Sequence, residues 1–235
     1  MKYPGFPVHN STLAGPALAQ RVLSKYHLPS PISCNFLRNG VNDTDIVKAG
    51  SGTYFLRVYR YGWRTKAEIQ AELAMLTYLH KGRLPVSWPL ERKDGPCLTP
   101  IAAPEGVRYA ALFTNAPGKG VDWNAKNSCS YGELVGRIHV CLDKAPDSVS
   151  DDWSAKAKSK RTRRWNAFLN GYSKVRTLGT HELKATNIFV PIRHIWLLGM
   201  HTQLAETSGR GWFDDGYFDF HLRFIKRWLE YRKIL

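Results

Sequence analysis

The chain has 235 residues, 43% of them hydrophobic and 12% aromatic, a composition that excludes an intrinsically disordered protein and leaves room for one domain or two small lobes. Its formal net charge of +15 draws anions and repels polycations, so nucleotides, nucleic acid and acidic surfaces are the partners this balance favours. No run approaches the roughly eighteen apolar residues of a membrane span, and the start MKYPGFPVHN lacks the apolar stretch of a secretion signal. Cys34, Cys97, Cys129 and Cys141 are scattered without a C-x-x-C pair, so the expectation is a cytoplasmic chain with reduced thiols and no membrane partner.

Residues 13–27 carry Leu18, Val22 and Leu23 on one side, which predicts an amphipathic helix stopped by Pro29. Residues 32–37 read as a strand entering an Asn39-Gly40 loop whose small and polar residues leave backbone N–H groups open to an anion. Two β-rich runs, 46–47 and 54–59, flank Ala49-Gly50-Ser51-Gly52, a hairpin turn. Thr65 and Glu68 have capping-box spacing, and Ile69, Leu73, Leu76 and Leu79 then keep the helical period as far as Gly82. After a loop punctuated by Pro85, Pro89 and Gly95, strands are expected over 97–101 and 107–113.

The breaker-rich stretch Thr114-Asn115-Ala116-Pro117-Gly118-Lys119-Gly120 marks a boundary, with an expected amino-terminal lobe over 1–115 and a helical carboxy-terminal lobe over 116–235. Helices are expected over 131–142, 165–175, 182–206 with a kink near Pro191, and 214–231. Strands and a helix followed by helices alone make an α+β, two-lobed plan. Lys156, Lys158, Lys160, Arg161, Arg163 and Arg164 form a basic run that either binds nucleic acid or is a solvated helix start; only Trp153 and Trp165 flank it, which favours the second reading.

Several stretches are distinctive together: RNGVNDTDIVKAGSGTYFLRVYRYGWRTKAEIQAELAMLTYL, GVRYAALFTNAPGKG, YGELVGRIHVCLD, WNAFLNGYSKVR and IRHIWLLGMHT. In this order and spacing they resemble the aminoglycoside phosphotransferase/choline kinase-like family, relatives of protein kinases that include bacterial stress-response kinases. The resemblance implies a protein-kinase-like fold and ATP-dependent phosphorylation of a hydroxyl group on a small molecule or a protein. It places Asn39, Gly40 and Asn42 in the loop over the nucleotide phosphates and Arg57 facing the α- and β-phosphates. Glu72 becomes the acid that holds that base, and Phe113, Thr114, Asn115 and Ala116 the hinge whose backbone meets adenine. Asp45 departs from the pattern, which puts Tyr or an apolar residue there.

Phosphoryl transfer of this kind also needs a catalytic-loop aspartate, an asparagine five residues on and a second aspartate for Mg²⁺. In the family these stand as H-G-D-x-x-x-x-N and D-F-D. Neither motif occurs. His181 to Asn187 has Leu183 where the aspartate belongs, Phe218-Asp219-Phe220 lies within an amphipathic helix, and Asp214-Asp215 reads as a pair of helix-start acids. His139 and His194, each on an otherwise apolar helix, read as hydrogen-bonded core residues, and His9 has no second metal ligand nearby.

The pattern runs smoothly to Ala145, breaks over 147–152 and resumes with what normally follows the magnesium-binding strand. The expectation is an internal deletion of the catalytic loop and its flanking elements, with family members about a hundred residues longer (an extent implied by the resemblance). The chain would then keep ATP binding without Mg²⁺ ligands or turnover and would act as a pseudokinase-like nucleotide- or partner-binding module. It would also be prone to self-association through uncovered apolar faces.

Overall fold

The computed structural model describes residues 6–50, 52–116, 118, 122, 124–145, 160–208 and 214–232. The junction at 147–152 and the side chains of the basic run 156–164 lie outside the described residues. The described chain forms two compact units, one made of residues up to 118 with Ala145, the other of 122–144 and 160–232.

The first unit opens with α1 (Gly15–Arg21), shorter than the periodicity suggests because the chain tightens into a 3-10 turn at Leu23–Lys25. Five strands follow: β1 (Ile32–Arg38), β2 (Asn42–Ala49), β3 (Gly52–Tyr59), β4 (Leu98–Ala103) and β5 (Gly106–Thr114). They form one antiparallel sheet in the order β1-β2-β3-β5-β4. The β2–β3 hairpin turns where Gly50 takes a φ of +55°, a conformation that side chains resist.

Between β3 and β4 lies α2 (Lys66–Lys81), whose start is a complete capping box: the Thr65 hydroxyl accepts from the Glu68 N–H while the Glu68 carboxylate accepts from the Thr65 N–H. Two apolar layers sandwich the sheet. On one face Leu18, Val22, Leu23 and Tyr26 pack with Val47, Leu56, Val58, Ala110 and Leu112; on the other Ile69 and Leu73 of α2 pack with Tyr59, Leu98, Ala111 and Phe113. Covering both faces explains why β5 is buried continuously from Ala110 to Phe113 instead of alternating.

The second unit contains α3 (Ala125–Leu142), α4 (Lys160–Tyr172), α5 (Thr180–Ser208) and α6 (Asp215–Tyr231). Helix α3 starts six residues earlier than its apolar pattern shows, because Asn124 caps it by accepting the Asn127 N–H at 2.9 Å. Small residues bring α3 and α4 together: a Cβ added at Gly132 would fall 1.9 Å from the Phe168 carbonyl oxygen, and one at Gly171 1.8 Å from that of Cys129. Pro191 lies inside α5. The Trp228 indole N–H of α6 donates to the Asn187 carbonyl of α5 at 2.8 Å. No described helix is long and apolar enough to cross a membrane.

Candidate functional site

Strand register assembles the site. Thr44, Arg57 and Ala111 stand abreast on β2, β3 and β5, so Arg57 rises from the face of the sheet that α2 covers. On α2 the inward residues are Ile69 and Leu73, and Glu72 flanks them. There its carboxylate meets the Arg57 guanidinium in a partly buried ion pair. The guanidinium carbon also lies 4.7 Å from the Phe113 ring centroid and 5.8 Å from that of Tyr59. A planar cation held by an acid on one side and aromatic rings on another has little rotational freedom left. Its side chain keeps 34% exposure, so the fork retains donors for a second anion.

Beneath the pair, the Tyr59 phenol is pushed well above its ordinary range, by burial first and by the Glu72 carboxylate second. It therefore stays neutral and forms an uncharged floor to the site.

The phosphate-loop candidates lie between β1 and β2. Asn39 is exposed, Asn42 opens β2, and among the described residues nothing lies within 4 Å of a Cβ added at Gly40. The Arg60 guanidinium donates to the Gly40 carbonyl at 2.9 Å, and the Arg60 N–H to Asn42 Oδ1 at 3.4 Å. At the expected hinge, Phe113 is buried and pairs with Phe55. The Thr114 N–H donates to the Trp88 carbonyl at 3.0 Å, and its carbonyl accepts the Ser87 hydroxyl at 2.6 Å. Asn115 and Ala116 are exposed. All nine sequence-predicted residues thus lie in the first unit, with Arg57, Glu72 and Phe113 in mutual contact through the arginine.

Asp45, the departure from the family pattern, does not interrupt β2. It is buried beside a second ionic group, in which Arg108 donates to Asp43 at 2.6 Å, to the Tyr59 carbonyl at 2.9 Å and to the Ser11 carbonyl at 2.7 Å. Burial, then the neighbouring Asp43 charge, push the Asp45 carboxyl up to about 6 against the opposing pull of Arg108. Neither Arg60 nor the Asp43–Arg108 pair was singled out on sequence. A signal exists for the latter: Arg108 interrupts an apolar run, and such an arginine needs a buried acid.

The decoys have structural roles. Asp214 caps α6, accepting the Tyr217 N–H at 2.9 Å, and Asp219 pairs with Arg223 at 2.9 Å on an exposed face. Nδ1 of His139 meets the Tyr172 hydroxyl at 2.8 Å, and Nδ1 of His194 meets Nδ1 of His221 at 2.8 Å. Among the described residues no group of three or more His, Cys, Asp or Glu is placed to hold a metal ion.

A five-stranded antiparallel sheet, an arginine on β3 and an acid on the helix that follows, together with a helical second unit, define a kinase-like fold of the α+β class. Solved structures share it. The amicoumacin kinase hAmiN in complex with AMP-PNP, Ca²⁺ and Ami aligns over 91% of this chain and 92% of its own, at a TM-score of 0.71 and 14% identity. The microcompartment-associated aminopropanol kinase aligns over 92% of this chain and 98% of its own, at a TM-score of 0.68 and 15% identity. No family model matches. An uncharacterised protein of Synechocystis, sll1119, is 39% identical over 137 residues, and one of Deinococcus radiodurans is 40% identical over 138. These stretches are 57% and 59% of this chain but only 38% and 40% of those proteins, so the chain spans well under half the length of the curated relatives it matches.

Proposed function

We propose that this chain descends from ATP-dependent kinases acting on a hydroxyl group and retains the nucleotide grip without the transfer machinery. The observation that carries this reading is the Arg57–Glu72 pair joining β3 to α2, with Phe113 against the guanidinium. A triphosphate needs a fixed cation, and a carboxylate on a neighbouring helix is how such a cation is fixed. The residues suit ATP: Arg57 would meet phosphate oxygens, the Asn39–Asn42 loop would lie over them, and Asn115 and Ala116 would offer backbone groups to the base. They do not suit a catalytic Mg²⁺, since the sequence holds neither H-G-D-x-x-x-x-N nor D-F-D.

ATP, when bound, supplies a transferable phosphoryl group, and positioning and neutralising that group is nearly all the catalysis such enzymes provide. Rate enhancements of this size correspond to roughly 8–23 kcal/mol, which one ion pair does not replace. The chain accordingly works as a pseudokinase-like binding module, and the parent acceptor was an uncharged or anionic hydroxyl compound or a protein serine or threonine, since a net charge of +15 disfavours polycations. Measuring ATP affinity and ATP hydrolysis with and without Mg²⁺ tests this. Binding with no turnover is expected; turnover at an ordinary kinase rate would overturn the reading, and so would no binding at all.

A further inference from the structure

Arg60 follows the last residue of β3 and is 5% exposed, deeply buried for an arginine. Its backbone lies one step beyond the point where Asn42 pairs with Tyr59, the end of the β2–β3 ladder. From there the side chain returns across the sheet edge to the β1–β2 connection and donates to the Gly40 carbonyl at 2.9 Å. Its backbone N–H meets Asn42 Oδ1 at 3.4 Å, and its guanidinium carbon lies 5.2 Å from the Trp63 ring centroid. Burial holds the guanidinium below arginine's ordinary range, while the Asp43 carboxylate opposes that shift.

A peptide unit is planar and trans, so its C=O and N–H point in opposite directions. Fixing the Gly40 carbonyl on Arg60 therefore also fixes the following N–H, that of Val41, on the side of the peptide turned away from Arg60. A three-residue connection containing Asn-Gly would otherwise sample many orientations, Gly being the least restricted residue. Gly40 itself adds no side chain, and among the described residues no atom lies within 4 Å of where one would stand. An anion can approach the backbone there, and it would find an N–H already oriented, which lowers the ordering cost of binding.

We infer that Arg60 is a positioning residue for nucleotide binding: it holds the Gly40–Val41 peptide so that the Val41 N–H is presented to a phosphate. This rests on the nucleotide-binding reading above, and goes beyond it in assigning a role to a buried residue outside the expected nucleotide contacts.

The test uses the full chain, with ATP and phosphate-free adenosine as probes and hydrogen–deuterium exchange over 39–42 as a second readout. In the wild type, ATP slows exchange over 39–42 and adenosine does not. Arg60→Met speeds that exchange and weakens ATP binding about tenfold while adenosine affinity stays within about twofold. Arg60→Lys keeps the charge but loses the planar fork, and it behaves like Arg60→Met. Arg223→Met, which removes an equal charge from an exposed position, matches the wild type.

Equal loss of ATP and adenosine affinity would mean that Arg60 only supports the fold, and would overturn the inference. ATP affinity in Arg60→Met equal to that in Arg223→Met would do the same. Should both Arg60 variants fail to fold, the wild-type exchange decides: ATP bound without protection over 39–42 sinks this inference alone. A wild-type chain that binds no ATP sinks the nucleotide reading itself.

Discussion

Arg57 shows how the surroundings of one side chain select its chemistry. A lysine would carry the same charge, but its ammonium is a point charge on a flexible stem and cannot lie flat against Phe113, 4.7 Å away, while also reaching Glu72. We expect Arg57→Lys to weaken ATP binding by about tenfold, with Glu72→Gln comparable, as read by calorimetric titration. Asp45 supports a prediction about pH. Its carboxyl is raised from 3.8 to about 6 in the folded chain, so between those values the folded state binds more protons than the unfolded one. The stability it contributes is therefore fully present below pH 4 and lost as pH rises through 6. Asp45→Asn should stabilise the fold at pH 8 by on the order of 1–3 kcal/mol, seen as a higher melting temperature, and should bring little gain at pH 4. Melting curves across that range would check it.

Among the elements, the α3–α4 pair is the most sharply specified. Backbone meets backbone at Gly132 and at Gly171, and no larger residue fits without moving a helix. Gly132→Ala should cost about 1–3 kcal/mol through overpacking. Gly199→Ala on α5, where an added Cβ meets no described atom within 4 Å, should instead stabilise by about 0.5–1 kcal/mol from helix propensity alone. Thermal unfolding of the two variants, same substitution and opposite sign, separates packing from propensity.

At the scale of the whole molecule, the charge of +15 acts on every anion that approaches. ATP affinity should fall steeply as salt is raised from about 50 to about 500 mM, whereas adenosine affinity should hardly change, because the Debye length shrinks from roughly 14 to roughly 4 Å. Salt-independent ATP affinity would place binding away from the basic surface. A second whole-molecule consequence lies on α5, where Ile188, Ile192, Ile195 and Trp196 are each half-exposed at helical spacing. An exposed apolar stripe of this kind favours self-association, and an oligomer fraction that grows as salt screens the net charge, read by light scattering, is the expected outcome.

Local signals determined much of this protein. The capping box at Thr65, the hairpin at Gly50, the apolar period of α2 and the order of strands before helices are short-range matters of steric preference and periodicity, and each was legible in the residues themselves. That neither H-G-D-x-x-x-x-N nor D-F-D occurs was equally a matter of reading residues in order. Tertiary structure alone decided the rest. That Arg57 meets Glu72 and lies against Phe113, that Arg60 reaches back to Gly40, and that Asp45 is buried beside Asp43 and Arg108 all depend on residues far apart in the chain. Strand register and helix docking bring them together, and a burial cost paid by one side chain is recovered only from a partner that no local pattern identifies.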